Sequence, residues 1–144
     1  VNLMPGAERL VRHLHSCKIP QAVATSSMRD TFNAKTTNHQ QVFSLFDTIV
    51  TGDDPEVKNG KPSPDIFKVA ASRLMLDGGV AASSDPASVL VLEDAVNGVQ
   101  AGLAAGMKVV MVPDSRLDIS EAKPHVVLKS LEDFKPEDWG LPPY

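Results

Sequence analysis

The stretch Val89-Leu90-Val91-Leu92-Glu93-Asp94 decides the fold that we expect for this chain. Four apolar residues run directly into two adjacent carboxylates, and a helical pattern follows. A short apolar run bounded in this way predicts a strand buried on both faces, as in a parallel sheet. In open α/β sheets, ligands bind just beyond the carboxyl ends of such strands. Two acids there could hold Mg²⁺, which prefers carboxylate oxygens. The alternative is that Asp94 only caps the next helix, since Asp is a favoured N-cap residue.

The composition is that of an ordinary globular domain. The 144 residues, 42% hydrophobic and 22% charged, can form one domain with a hydrophobic core. A net charge of -4 without a cluster of Lys or Arg argues against nucleic acid as a partner. No apolar run has the length of a membrane span, so we expect no membrane association. The single cysteine, Cys17, excludes an internal disulfide and is typical of a reducing cytosol, so we predict a cytoplasmic location.

Helical and strand patterns alternate along the whole chain. Helical periodicity begins at Ala7, follows Ser26-Ser27 to about Asn38, and resumes at Pro64 and after Asp94. Short strands are predicted at residues 21–25, 48–51, 89–92, 109–112 and 126–127, with polar loops at 77–79 and 83–86 and a loose terminus at 142–144. This alternation predicts βαβ units, and hence an α/β domain with a parallel sheet and helices on both faces.

Two further polar groups follow or flank these elements. Thr25-Ser26 ends the first strand, where a hydroxyl and a backbone N–H could bind phosphate oxygens. The simpler interpretation is an ordinary helix cap. Lys61 lies between Gly60 and Pro62 on a loop stiffened by prolines, where a fixed ammonium suits a phosphoryl group. The simpler interpretation is a solvated lysine in a turn.

The order hydroxyl, lysine, acid pair resembles the haloacid dehalogenase-like (HAD) hydrolase superfamily. Val23–Ser26 is similar to its second motif, Gly60–Pro62 to its third and Val91–Gly98 to its fourth. The similarity extends over residues 1–144, as a partial HAD-like core domain. Further stretches resemble the pseudouridine-5'-phosphatase branch: residues 52–57, 64–67 and 104–107.

The resemblance implies a three-layer Rossmann-like core and a Mg²⁺-dependent phosphatase of small phosphorylated metabolites, with pseudouridine 5'-phosphate as one candidate. An Asp nucleophile would form an aspartyl-phosphate. By this correspondence Thr25 and Lys61 would be catalytic, and Ser26 would join them in binding phosphate. Asp94 would be a direct or water-linked metal ligand with Glu93 as its partner, and Asn97 would orient the loop.

The first motif of the family, a strand ending in Asp-x-Asp-x-Thr, has no counterpart here, because no Asp-x-Asp occurs in the chain. The helical cap of the family is missing as well. We therefore interpret the chain as the C-terminal part of a longer phosphatase that lacks the central strand, and we expect it to be inactive alone. Without that strand, the chain should be poorly stable, self-associate through exposed sheet edges, or pair the strands ending at Thr25 and Asp94 directly.

Two other functions are compatible with the same residues. A sugar-phosphate mutase of the superfamily shares these motifs and differs chiefly in the cap. A non-catalytic fragment that regulates or binds an intact enzyme is the alternative outside catalysis. The cap supplies much of the substrate specificity in the family, so these residues do not identify the substrate.

Overall fold

A computed structural model of the chain describes residues 2–77 and 85–144. The helices are α1 Ala7–Ser16, α2 Arg29–Thr36, α3 Gln40–Phe43, α4 Asp65–Asp77 and α5 Val96–Ala104. The strands are β1 Ala22–Ala24, β2 Thr48–Val50, β3 Leu90–Glu93, β4 Lys108–Met111 and β5 Val126–Val127. Short 3-10 turns lie at Thr37–His39, Pro86–Ser88, Leu131–Asp133 and Pro136–Trp139. Most of the loops predicted at 77–79 and 83–86 lie outside the described residues.

The described strands form two parallel sheets rather than one. In the first, β1 pairs with β2, with Ala22 opposite Thr48. In the second, β4 lies between β3 and β5, with Leu90 opposite Lys108 and Val110 opposite Val126. The predicted parallel α/β architecture is therefore confirmed. The direct pairing of β1 with β3, one of the expected consequences of a missing strand, does not occur in the described sheets.

Side chains alternate between the two faces of β3 and β4, and this alternation builds three layers. Val91, Val109 and Met111 face α4 and α5, in a core cluster that also contains Val50 of β2. Val110 and the following Val112 face the other way, toward α1 and the C-terminal segment. Both sheets therefore share one apolar core, on the side covered by α4 and α5.

The residues that build these two faces are buried hydrophobics. The core cluster on the first face contains Val50, Ile66, Phe67, Ala70, Val91, Val99, Ala101, Ala105, Met107, Val109 and Met111. The second contains Leu10, Val110, Val112 and Phe134.

The C-terminal segment packs on α1, so the prediction of a loose terminus is wrong. The carbonyl of Pro142 lies 2.7 Å from Nε2 of His13. The Tyr144 ring lies under the guanidinium of Arg9, 3.6 Å from the ring centroid. An aromatic ring and a cation attract each other in this geometry, an interaction that the composition of the segment alone does not reveal.

Arg73 on α4 holds the loop that follows β2. Its guanidinium donates to both carboxylate oxygens of Asp54, at 2.7 and 2.9 Å, and to Glu56 at 2.7 Å. The Asp54 side chain is only 10% exposed. The hydrogen bonds from Arg73 hold the pKa of Asp54 below its usual range.

No helix within residues 2–77 and 85–144 is long and apolar enough to cross a membrane.

We predict that Arg73→Met lowers the free energy of unfolding by about 1–3 kcal/mol, because a largely buried carboxylate loses its charged donors. The pKa of Asp54 is lower in the folded than in the unfolded chain. Its stabilising effect is therefore present above the unfolded-state pKa and is lost as the pH falls through the folded-state pKa. Urea titrations from neutral to acidic pH should show the difference from wild type shrinking at acidic pH.

The matched control is Arg116→Met. Arg116 makes the same kind of bidentate pair with Asp114, but the two side chains are 88% and 56% exposed. Solvent screens such a pair, so this variant should unfold almost as the wild type does. Equal losses of unfolding free energy in the two variants would contradict the conclusion that Arg73 holds the loop after β2.

Candidate active site

A groove of about 450 Å³ opens where the carboxyl ends of β1 and β3 come together. Its polar lining includes Thr25, Ser26, Lys61, Glu93 and Asp94, with Asn97 beside them. These are all the site residues predicted from the sequence. The carboxyl ends of parallel strands lie at the same edge, so groups that are far apart in sequence meet in one groove.

Lys61 lies at the centre of this groove and connects the two sheets. Its Nζ donates to the carbonyl of Ala24 at the end of β1, at 3.2 Å, and to Oε1 of Glu93 at the end of β3, at 2.5 Å. The Lys61 and Glu93 side chains are 8% and 9% exposed. The ammonium also lies 5.0 Å from the centroid of the Phe67 ring. Lys61 is therefore a fixed and paired cation, not a solvated lysine in a turn.

The loop that carries Lys61 is held at both ends. The Lys61–Pro62 peptide bond is cis. Asp65, the first residue of α4, accepts hydrogen bonds from the Ser63 hydroxyl and from the backbone N–H of Asn59, both at 3.0 Å. The Asn59 N–H, and then the Ser63 hydroxyl, hold the pKa of Asp65 below its usual range. The turn around Lys61 is thus anchored to the start of a helix, in agreement with the stiff loop that the prolines predicted.

Thr25 and Ser26 begin the loop between β1 and α2. The Thr25 N–H donates to the carbonyl of Val50, and its hydroxyl oxygen accepts from the N–H of Ser27 at 3.1 Å. The hydroxyl still has its own proton to donate toward the groove. The alternative interpretation, in which Thr25 or Ser26 caps α2, is wrong: the N-cap is Met28, whose side chain makes no capping hydrogen bond.

Asp53 supplies the missing cap from a different loop. Its Oδ1 accepts from the backbone N–H of Arg29 at 3.0 Å and from the Thr51 hydroxyl at 2.7 Å. The Thr51 hydroxyl, and then the Arg29 N–H, hold the pKa of Asp53 below its usual range. Arg29 in turn donates from its guanidinium to the carbonyl of Ile49. The loop after β2 therefore fixes the start of α2.

Glu93 and Asp94 have different surroundings. Oε1 of Glu93 accepts from Lys61, and Oε2 accepts from the backbone N–H groups of Asp94 and Ala95 at 3.2 and 3.4 Å. Asp94 is exposed, and its side chain has no hydrogen-bond partner among the described residues. The N-cap of α5 is Ala95. Asp94 is therefore not the helix cap that the alternative interpretation required.

The donor set fits one metal position in part. Within residues 2–77 and 85–144, no three His, Cys, Asp or Glu side chains form a cluster that could hold an ion. Asp94 lines the groove and has no side-chain partner among the described residues. Its carboxylate suits one bond to Mg²⁺, an ion that commonly uses one or two protein carboxylates together with water and phosphate oxygens. The Glu93 oxygens already accept hydrogen bonds, so Asp94 is the better ligand.

Comparison with known families identifies the fold. The pattern of the haloacid dehalogenase-like hydrolases matches residues 1–112. The chain belongs to this family. The resemblance predicted from the three motifs is therefore confirmed, and with it the parallel α/β fold class of the HAD core.

Curated relatives match almost the whole chain. The Arabidopsis thaliana protein (DL)-glycerol-3-phosphatase 1, mitochondrial, is 56% identical over 99% of this chain and 47% of its own length. The probable pseudouridine-5'-phosphatase of Drosophila melanogaster is 54% identical over 99% of this chain and 60% of its own length. The expected pseudouridine-5'-phosphatase branch is thus represented, at an identity similar to that of a glycerol-3-phosphatase. The chain spans about half the length of these relatives.

A solved HAD structure agrees with the fold. The putative beta-phosphoglucomutase from Thermotoga maritima superposes with a TM-score of 0.73 and 30% identity, over 90% of this chain and 56% of that one.

The cytoplasmic location inferred from Cys17 stays a prediction, since one of the relatives is named mitochondrial.

Three positions next to the groove residues were not predicted as site residues: Gly52, Asp53 and Gly98. Gly98 was noted only as the last residue of the stretch similar to the fourth motif. Asp53 was noted only within residues 52–57, a stretch that resembles the pseudouridine-5'-phosphatase branch. A Cβ at Gly52 would overlap the backbone carbonyl of Ser26. The N–H of Gly52 also donates to the carbonyl of Ser27 at 2.9 Å. The only signal available was a glycine directly after a strand, which often marks a close approach of two backbones.

We predict that Gly52→Ala lowers the free energy of unfolding by about 1–3 kcal/mol, because its methyl group must displace backbone of the Thr25–Ser27 loop. Thermal unfolding followed by circular dichroism measures the loss. Amide hydrogen exchange should show the extra opening confined to residues 25–28 and the neighbouring loop.

Gly60→Ala is the matched control. Gly60 lies in the Lys61 loop, and a Cβ there meets nothing within 4 Å. This variant should melt at or above the temperature of the wild type. A Gly52→Ala variant as stable as the Gly60→Ala variant would show that the close approach to Ser26 is not needed.

Proposed function

We propose that the groove binds the phosphate group of a small phosphorylated metabolite, and that the protein to which these residues belong is a Mg²⁺-dependent phosphomonoesterase. The observation that carries the proposal is the meeting of a hydroxyl, an ammonium and a carboxylate, from Thr25, Lys61 and Asp94, in one groove. Phosphoryl transfer requires positioning and charge neutralisation more than additional covalent chemistry, and these three groups supply both.

Thr25, Ser26 and Lys61 would bind the phosphate. The Thr25 hydroxyl donates to one phosphate oxygen and the backbone N–H of Ser26 to another. The ammonium of Lys61 neutralises charge that develops in the transition state. Because Lys61 is already held between Ala24 and Glu93, little reorganisation is needed when the phosphate arrives.

Asp94 would hold the metal, with Glu93 contributing its charge from the adjacent position. When bound, Mg²⁺ supplies further neutralisation of the phosphate oxygens. Asn97 lies in the first turn of α5 and lines the groove, where it would orient the loop that carries Asp94.

The nucleophile would come from outside these residues. An Asp carboxylate would attack phosphorus as the ester P–O bond breaks, giving an aspartyl-phosphate, and a second Asp two residues later would protonate the leaving alcohol. The same second Asp would then deprotonate the water that breaks the P–O bond of the aspartyl-phosphate, releasing phosphate and the free carboxylate. The 144 residues contain no Asp-x-Asp. We therefore expect the chain by itself to bind phosphate weakly and not to hydrolyse phosphomonoesters.

The relatives suggest two substrates. Their names assign glycerol 3-phosphate to one and pseudouridine 5'-phosphate to the other. Both are small phosphomonoesters with hydroxyl groups near the phosphate, so both belong in the assay.

The first test measures binding and turnover separately. Orthophosphate with Mg²⁺, added at millimolar concentration, should shift the amide NMR signals of Thr25, Ser26 and Asn97. Release of phosphate from pseudouridine 5'-phosphate, glycerol 3-phosphate and p-nitrophenyl phosphate should stay at the blank level. Turnover that Asp94→Ala abolishes would disprove the inactivity of the chain.

Asp94→Asn is the variant for the metal. Its side chain is exposed and unpaired among the described residues, so the fold should be unaffected, while the Mg²⁺ dependence of the phosphate shifts should disappear. Asp114→Asn removes an exposed carboxylate that does not line the groove, and it should change nothing at Thr25. Phosphate shifts that are absent from the groove, or identical with and without Asp94, would refute the proposed site.

The unpaired strand edges would allow self-association. In the described sheets β1 pairs only with β2, and β3 only with β4, so each has one edge without a strand partner. Strand edges without a partner favour pairing between chains. Light scattering after size exclusion should therefore show a mass that rises with protein concentration. A strictly monomeric and cooperatively melting sample would rule this out.

A further inference from the structure

Gly98 is the third residue of α5 and is buried. A Cβ built at this position would overlap the carboxylate group of Glu93, both its carbon and its two oxygens. The carboxylate of Glu93 therefore lies directly against the helix backbone, in a space that only a glycine leaves open. Glycine in a helix costs stability relative to alanine, so its presence here requires a compensating gain.

The Glu93 carboxylate is anchored and cannot simply turn aside. Oε1 accepts from Lys61, while Oε2 accepts from the N–H groups of Asp94 and Ala95. Its position at the N-terminus of α5 is also favourable for a negative charge. A side chain at position 98 would thus displace a group held by three donors, not the free end of a flexible side chain.

A second glycine on the same helix provides the comparison. A Cβ at Gly102 would lie 2.8 Å from Cγ2 of Val109, in the hydrocarbon core of the sheet. Gly102 therefore serves close packing of α5 on β4. Gly98, one helical turn earlier, faces a functional carboxylate instead, so its role differs in kind.

We propose that Gly98 is a positioning residue for the active site. Because Gly98 has no side chain, the Glu93 carboxylate can lie against the backbone of α5. In that position the carboxylate holds the ammonium of Lys61 at the groove. Gly98 acts through Glu93 and touches no substrate. That the Lys61 ammonium binds phosphate rests on the proposed function, whereas its placement by Glu93 and Gly98 does not.

The test is the chemical accessibility of Lys61 in the complete 144-residue chain. N-hydroxysuccinimidyl acetate acylates exposed lysines, and peptide mass spectrometry gives the rate at each site. Lys61 should react slowly in the wild type, because its amino group is buried and paired. In Gly98→Ala its rate should rise at least about threefold relative to the exposed Lys58 and Lys68 of the same molecule. Glu93→Gln should cause a rise of the same order, and the two substitutions together should add little.

Gly102→Ala separates positioning from general loosening. It strains the same helix in the core, so it should lower the melting temperature and leave the relative rate at Lys61 unchanged. An unchanged rate in Gly98→Ala would overturn the proposal, as would an equal rise in Gly102→Ala. Neither result depends on phosphate binding, so failure here is distinct from failure of the proposed function.

A second measurement decides the matter if Gly98→Ala is too unstable to label. The substitution should lower the melting temperature in the native background, where it meets the carboxylate. In a Glu93→Ala background the space is empty and alanine is the better helix former, so the same substitution should leave the melting temperature unchanged or raise it. A loss of the same size in both backgrounds would show that Glu93 is not what the glycine accommodates.

Discussion

The position of the Lys61 ammonium is the constraint on which the rest of the site depends. It lies between the last carbonyl of β1 and the carboxylate at the end of β3, and so it links two sheets that share no strand pairing in the described residues. A charge buried to this degree is tolerated only when it is paired and hydrogen-bonded. The same interaction therefore fixes the distance between the two strand ends, the orientation of Glu93 and the shape of the groove.

Two glycines allow close approaches to backbone that position the polar groups of the groove. Gly52 lets the loop after β2 approach Ser26, and Gly98 lets the Glu93 carboxylate approach α5. Around them, Asp53 caps α2 from another loop, and Arg73 clips Asp54 to α4. The loop that carries Thr25 thus depends on residues about 25 positions further along the chain, in a region that contributes no atom to the groove lining.

Sequence patterns predicted most of the secondary structure because the patterns are local. The apolar runs at β3 and β4 and the helical periodicity of α1 and α4 each identify an element to within one or two residues. The capping assignments failed at Ser26 and Asp94. At α2 the cap comes from Asp53 on another loop, and at α5 the N-cap is Ala95, which has no side-chain cap. A capping motif reports only the sequence next to the helix. The loose terminus was wrong for a similar reason, because Tyr144 packs on Arg9, which is distant in sequence.

The sequence by itself determined the fold class, the family and the polar residues of the groove, because strand order and motif spacing bring Thr25, Lys61 and Asp94 to one edge. Only the tertiary structure decided how the two acids divide their roles. Glu93 and Asp94 are adjacent carboxylates and look equivalent in the sequence. In the fold, one is buried against Gly98 and paired with Lys61, while the other faces the groove unpaired among the described residues. Which surroundings each side chain meets depends on how the helix and the lysine loop pack around the strand, and that information is absent from the local sequence.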